Sequence, residues 1–138
     1  MGRMSGVLWV LLALVVGGML YIRLAPSDPA RWHRAPEASV DKTFQSGVTR
    51  RVAAGPDGLA RLDAIIRATP RTRMLAGTLG AGMVTYVTRS RVMGFPDYTT
   101  VQQVGDALEI YARSRFGRSD LGVNGARVEG WLAALEAG

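Results

Sequence analysis

Four arginines alternate along two segments that read as β-strands. In the segment 84–92, Arg89 and Arg91 share a face with Thr85 and Val87. In the segment 108–116, Arg113 and Arg115 share one with Glu109 and Tyr111, because successive strand side chains point to opposite faces. The guanidinium is a planar fork that matches carboxylate and phosphate. Cations at this spacing repel one another unless an anion or a carboxylate lies among them. Asp97 and Asp120 follow the two strands, in loops that echo each other. Ser90-Arg91 leads through Gly94 to Asp97, and Ser114-Arg115 leads through Gly117 to Asp120. One account of the echo is structural: the glycine turns the chain and the aspartate caps the turn or pairs with a strand arginine. The other is functional: Arg89, Arg91, Arg113 and Arg115, ordered by Asp97 and Asp120, form a pocket for a small anion or a lipid headgroup.

Other chemistries find little support. The chain has no cysteine, which excludes disulfides, thiolate metal sites and cysteine nucleophiles. His33 is the only histidine, and no neighbouring ligands accompany it as a metal site requires. No phosphate loop, nucleophile elbow or dinucleotide signature occurs. Neither a cofactor nor a metal is expected. An enzyme of undescribed type would have to use Asp97 or Asp120 as its acid or base. The formal charge of +6 would suit nucleic acid or anionic headgroups. Lys42 is the only lysine, and a GC-rich genome produces the same arginine bias.

The positioning elements are legible from periodicity. A strand is expected over 46–54, where Val48, Arg50 and Val52 alternate. Gly55-Pro56-Asp57 opens a helix whose apolar stripe is Leu59, Leu62, Ile65 and Ile66, and Thr69-Pro70 ends it. Strands over 73–79, 84–92, 98–104 and 108–116 follow, joined by glycine turns. The strands 84–92 and 108–116 are expected to flank 98–104, which brings their arginine ends to one edge. A helix over 125–135 comes last, with Asn124 as its N-cap and Val128, Trp131, Leu132 and Leu135 on one face. The order β-α-β-β-β-β-α implies an α+β two-layer sandwich: a curved antiparallel sheet of four to five strands with two helices on one face.

Ahead of this domain the composition changes. From Val7 to Ile22 no charged residue occurs, with Arg3 before the run and Arg23 after it. Gly6, Leu24 and Ala25 extend the run, so the working span is about 19 to 20 residues, enough for a transmembrane helix. The rival is a cleaved secretory signal. Pro26 after Ala25, with Arg23 two residues before it, makes a poor cleavage site. The expected division is an anchor over 1–25, a proline-containing linker over 26–45 and an α+β domain over 46–138. The membrane is contacted through residues 7–24, and such an anchor argues against nucleic acid as a partner. Counting positive flanks favours a cytoplasmic domain, whereas a short N-terminus before a signal-like run favours export. The reading adopted is a single-pass protein of the bacterial inner membrane with a periplasmic domain.

Ser90-Arg91, Gly94-Phe95-Pro96-Asp97-Tyr98, Ser114-Arg115, Gly117, Asp120, Gly122-Val123-Asn124 and Arg127-Val128 resemble the C-terminal signature of the domain of unknown function 1499 family. Leu24-Ala25-Pro26-Ser27-Asp28 after a hydrophobic segment resembles its bacterial members. Gly125 departs from the pattern, which has arginine there. The resemblance implies an envelope or membrane setting and no established reaction. The functional expectation is therefore a membrane-anchored binding or interaction module for an anionic ligand, a lipid headgroup or an envelope partner. A scaffold for a membrane protein would show an exposed apolar patch around Phe95.

Overall fold

The structure, a computed structural model, describes residues 2–116 and 118–138. Helix α1 (Gly2–Leu24) takes up the whole apolar run and buries none of its residues. At 1.5 Å per residue its 23 residues extend about 34 Å, which covers a hydrocarbon core of about 30 Å. Its best window has a mean hydropathy of 2.2. A helix of this kind can cross a membrane, and a signal sequence meets the same measure.

The chain then builds α2 (Pro29–Trp32), β1 (Lys42–Phe44), β2 (Gly47–Ala53), α3 (Gly58–Arg67), β3 (Thr72–Thr78), β4 (Met83–Arg89), β5 (Pro96–Val104), β6 (Ala107–Ser114) and α4 (Val123–Ala137). The six strands form one antiparallel sheet in the order β1-β2-β6-β5-β4-β3. The α+β class and the sequence of elements from β2 onward agree with the expectation. The strand count does not: β1 adds a sixth strand, a three-residue hairpin arm inside the stretch read as linker. Pro29 opens the short helix α2. It occupies the first helical position, where a missing N–H leaves nothing unsatisfied, and Asp28 caps the turn by accepting from Ala30 N at 3.0 Å.

Helices α3 and α4 cover one face of the sheet. Leu59, Leu62 and Ile66 meet Val128, Trp131 and Leu135 over Val84, Tyr86, Val101, Leu108, Ile110 and Ala112. Each such side chain contributes about 1.5–3 kcal/mol when fully removed from water. Two large polar tips inside this layer are satisfied, as burial requires, whereas the buried Thr99 Oγ1 has no hydrogen-bond partner among the described residues. Tyr86 Oη donates to Asp63 Oδ1 at 2.6 Å and Trp131 Nε1 donates to Thr69 Oγ1 at 2.8 Å. Burial, reinforced by Asp63, pushes the Tyr86 hydroxyl up and keeps it protonated.

The opposite face is not bare. Residues 25–38 run across it as a strap in which Ala25, Trp32 and Ala38 are buried. The Trp32 ring stacks on Tyr98 at 4.0 Å and 11°, against Val87 and Leu75. A β-bulge between Met74 and Ala76 shifts β3 beside this contact. Gly77 follows at φ 91°. A Cβ there would lie 2.1 Å from the Met83 carbonyl oxygen and 2.7 Å from His33 Cε1, so the close approach requires glycine. The stretch 26–45, read as a linker, is thus largely a third layer of the domain.

Candidate functional site

Register fixes what lies at the end of the sheet where α1 arrives. Thr88 pairs with Asp97, and Asp97 with Ser114, while Gly47 pairs with Arg113. The start of β3, the end of β4, the start of β5, the end of β6 and the start of β2 therefore share one end. Residues 90–95 and residues 115–116 with 118–122 project from it as loops. Strand β4 stops at Arg89 rather than 92. The chain turns there, with Gly94 N donating to Ser90 O at 3.2 Å, Phe95 N to Ser90 Oγ at 2.9 Å, and Gly94 at φ 71°.

The four arginines expected to act together divide into two sets. Arg113 and Arg115 hold the strap. Arg113 donates to the Trp32 carbonyl, to Thr100 Oγ1 at 2.9 Å and to its neighbour Tyr111 O at 3.0 Å. Its guanidinium also lies 4.6 Å from the Tyr111 ring centroid. No carboxylate accompanies it among the described residues. Desolvation lowers its pKa to about 10, so it stays charged at neutral pH, held by carbonyls and π faces. Arg115 donates to Pro26 O at 2.9 Å and to Tyr98 Oη at 3.4 Å; Tyr98 Oη also lies 2.7 Å from Ser27 Oγ. His33, the histidine without neighbouring ligands in sequence, sits with Nδ1 2.8 Å from Thr85 Oγ1.

Arg89 and Arg91 belong to a cleft of about 550 Å³ beside the end of α1, together with Arg23, Arg71 and Arg73. Thr72 and Ser90 also line it, and no carboxylate does. None of the five arginines takes part in an ion pair among the described residues. Backbone carbonyls fix three of them. Arg23 donates to Val92 O, Arg71 Nε to Arg89 O at 3.1 Å, and Arg89 to Gly94 O at 2.8 Å and Ile22 O at 3.2 Å. The Ile22 bond satisfies one of the orphan carbonyls of the last turn of α1 and sets a cation at the negative end of that helix. Arg71 adopts φ 57°, a left-handed conformation that costs a non-glycine residue about 1–2 kcal/mol. A second cleft, about 510 Å³ between β2 and α4, differs in charge: Asp41, Glu129 and Glu136 share it with Arg50 and Arg61, and Arg50 pairs with Glu129 at 2.8 Å. Its cations are neutralised internally, whereas those of the first cleft are not.

Asp97 and Asp120 do not order these arginines. Asp97 lies on the helix-covered face and pairs with Arg127 Nη1 at 3.1 Å. Arg127 also reaches Asn124 Oδ1 at 3.3 Å, and Asn124 Nδ2 donates to Ser114 Oγ at 3.1 Å. Burial raises the Asp97 carboxyl, and the Ser114 hydrogen bond and Arg127 offset only part of the rise. Asp120 accepts from Gly122 N at 2.9 Å and Asn124 N at 3.1 Å, so it caps α4. Asn124, the expected N-cap, is instead fully buried in the network with Arg127. The echoing loops share a spacing and not a pocket. Neither aspartate lines either cleft. Phe95 is half-buried, 6.4 Å from Phe116.

Sequence reasoning missed Arg23, Arg71 and Arg73. Two of them were within reach. Arg71 and Arg73 repeat the spacing of Arg89 and Arg91, and pairing β3 with β4 sets Arg73 opposite Val87, on the same face as Arg89. In sequence Arg23 marks only the end of the apolar run; its place in the cleft depends on where α1 meets the sheet.

An anchor-like helix, a strapped α+β domain and an arginine cleft between them describe the class of protein. The chain belongs to the family of proteins of unknown function DUF1499, which matches residues 22–135. The match takes in the strap as well as the sheet. No curated protein matches the chain, and no solved structure does.

Proposed function

We propose that this protein is a membrane-anchored module that binds a phosphate-bearing anion, a lipid headgroup in the first instance, in the arginine cleft beside the anchor. The observation that carries the reading is charge: five arginines around one cavity with no carboxylate in its lining. Like charges held together by a fold favour an anion among them, and guanidinium forks suit phosphate. Arg23 belongs at once to the last turn of α1 and to the cleft. Cleavage after residue 25 would remove it, which supports retention of α1 as a membrane span. In this reading the span lies in the bacterial inner membrane and the domain in the periplasm. A reporter fused after Gly138 tests that side.

Arg73 and Arg91 are exposed and hold no intramolecular partner among the described residues, so Arg73→Ala with Arg91→Ala leaves the fold intact. The test titrates the full chain in detergent with a soluble short-chain phosphatidate, and separately with inorganic phosphate. Charge-assisted hydrogen bonds contribute about 1.5–3 kcal/mol each, so the double variant should lose at least about tenfold in affinity. Arg50→Ala, in the neutralised second cleft, should bind as the parent does. Equal affinity in parent and double variant would refute the reading. Binding of phosphatidate without phosphate assigns the lipid; equal binding of both assigns the phosphoryl group alone.

A further inference from the structure

We propose that the two loops flanking the anchor, residues 90–95 and residues 115–116 with 118–122, are a membrane-docking surface whose apolar tips, Val92 and Leu121, enter the bilayer interface beside α1. Val92 is 71 % exposed and Leu121 90 %, and both lie in turns rather than on a packed face. The occupant follows from their position. Helix α1 is only about 4 Å longer than a hydrocarbon core of about 30 Å. Its final turn therefore ends within the headgroup layer, which extends a further 5–7 Å or so on each side.

That final turn is bonded directly to the first loop. Arg23 donates to the Val92 carbonyl and Arg89 ties Ile22 O to Gly94 O. The second loop reaches deeper. Phe116 meets Tyr21 edge-on at 6.1 Å, almost a full turn inside the end of α1. These contacts tie Val92, Gly94 and Phe116 to the last turn of α1, and by this proposal Leu121 on the second loop shares that depth. Arg91 and Arg118 are exposed on the same loops, cations that suit lipid phosphates around an apolar tip. Exposed Val92 and Leu121 would be a liability in water, and at this depth they lie in an environment that accepts them. The inference rests on α1 crossing a bilayer, and not on the arginine cleft binding an anion.

The chain has no cysteine, so single cysteines can be introduced as unique labelling positions. Val92→Cys, Leu121→Cys and Leu79→Cys, each in the full chain, would carry an environment-sensitive fluorophore. Leu79 is the reference, exposed in the β3–β4 turn at the opposite end of the sheet. Proteoliposomes of neutral phosphatidylcholine would contain a nitroxide lipid labelled high on its acyl chain. Quenching should be several-fold stronger at 92 and 121 than at 79. Neutral lipid separates this outcome from the anion reading: Arg73→Ala, which weakens phosphate binding from β3 and touches neither loop, should keep the quenching. Quenching at 92 and 121 no stronger than at 79 would overturn the proposal, whether the loops then face water or a second copy of the chain.

Discussion

Replacing Trp32 with alanine tests whether the strap is part of the fold. A tryptophan in a solvated linker could be truncated for no more than about 0.5 kcal/mol. Trp32 is instead 8 % exposed, stacked on Tyr98 at 4.0 Å, and 5.5 Å from the Arg113 guanidinium. Truncation of a buried aromatic costs about 3–5 kcal/mol, which includes the extra 0.5–1.5 kcal/mol or so of an aromatic pair. Arg113 would then lose one of its two π faces while staying desolvated. A domain of this size has a total stability of about 5–15 kcal/mol, so the change removes a large share of it. The expected fall in Tm is roughly 12–20 °C. Trp32→Phe keeps a stacking ring and should lose under half as much. Far-UV circular dichroism melts of the full chain in detergent report the change without relying on tryptophan emission. Trp9→Ala, on the exposed flank of α1, provides the control. A Trp32→Ala Tm within about 2 °C of the parent would refute a structural strap and return 26–45 to the status of a linker.

Two further outcomes follow from the same end of the sheet. The folded pKa of Asp97 lies above its ordinary value of 3.8 because burial outweighs Ser114 and Arg127. The folded state therefore holds this proton more tightly than the unfolded state does. Its contribution is fully present below pH 3.8 and is lost as pH rises through the folded value. Asp97→Asn should flatten that part of the stability–pH curve while costing about 3 kcal/mol through the unpaired Arg127; denaturant titrations at stepped pH measure both, and an unaltered slope would contradict the assignment. Gly94→Ala should be worse than Gly105→Ala. Both have positive φ, which costs about 1–2 kcal/mol, but only at Gly94 would a new Cβ meet a neighbour, 3.0 Å from Arg23 Cγ. Equal losses of stability and of phosphatidate affinity in the two variants would show that Arg23 does not depend on this contact.

Local pattern and tertiary structure divided the work along a physical line. The apolar run of α1, the alternation in β4 and β6, and the helical stripes of α3 and α4 depend on side-chain period alone, and the sequence by itself determined them. It also determined the family and the sharing of one sheet end by Arg89, Arg91, Arg113 and Arg115. It did not determine which partners they take. Gly94 to Asp97 and Gly117 to Asp120 have matching spacing, yet Asp97 entered β5 on the helix-covered face while Asp120 stayed in a loop to cap α4. A one-residue change of face reverses where a side chain points, and no spacing rule records that. The strap was hidden because Pro26, Pro29 and Pro36 suppress any periodic signal, so its place on Tyr98 rests on long-range contact. The same holds for the cleft. Arg23 lies 48 residues before Arg71 and 66 before Arg89, and only the meeting of helix and sheet brings their charges around one cavity.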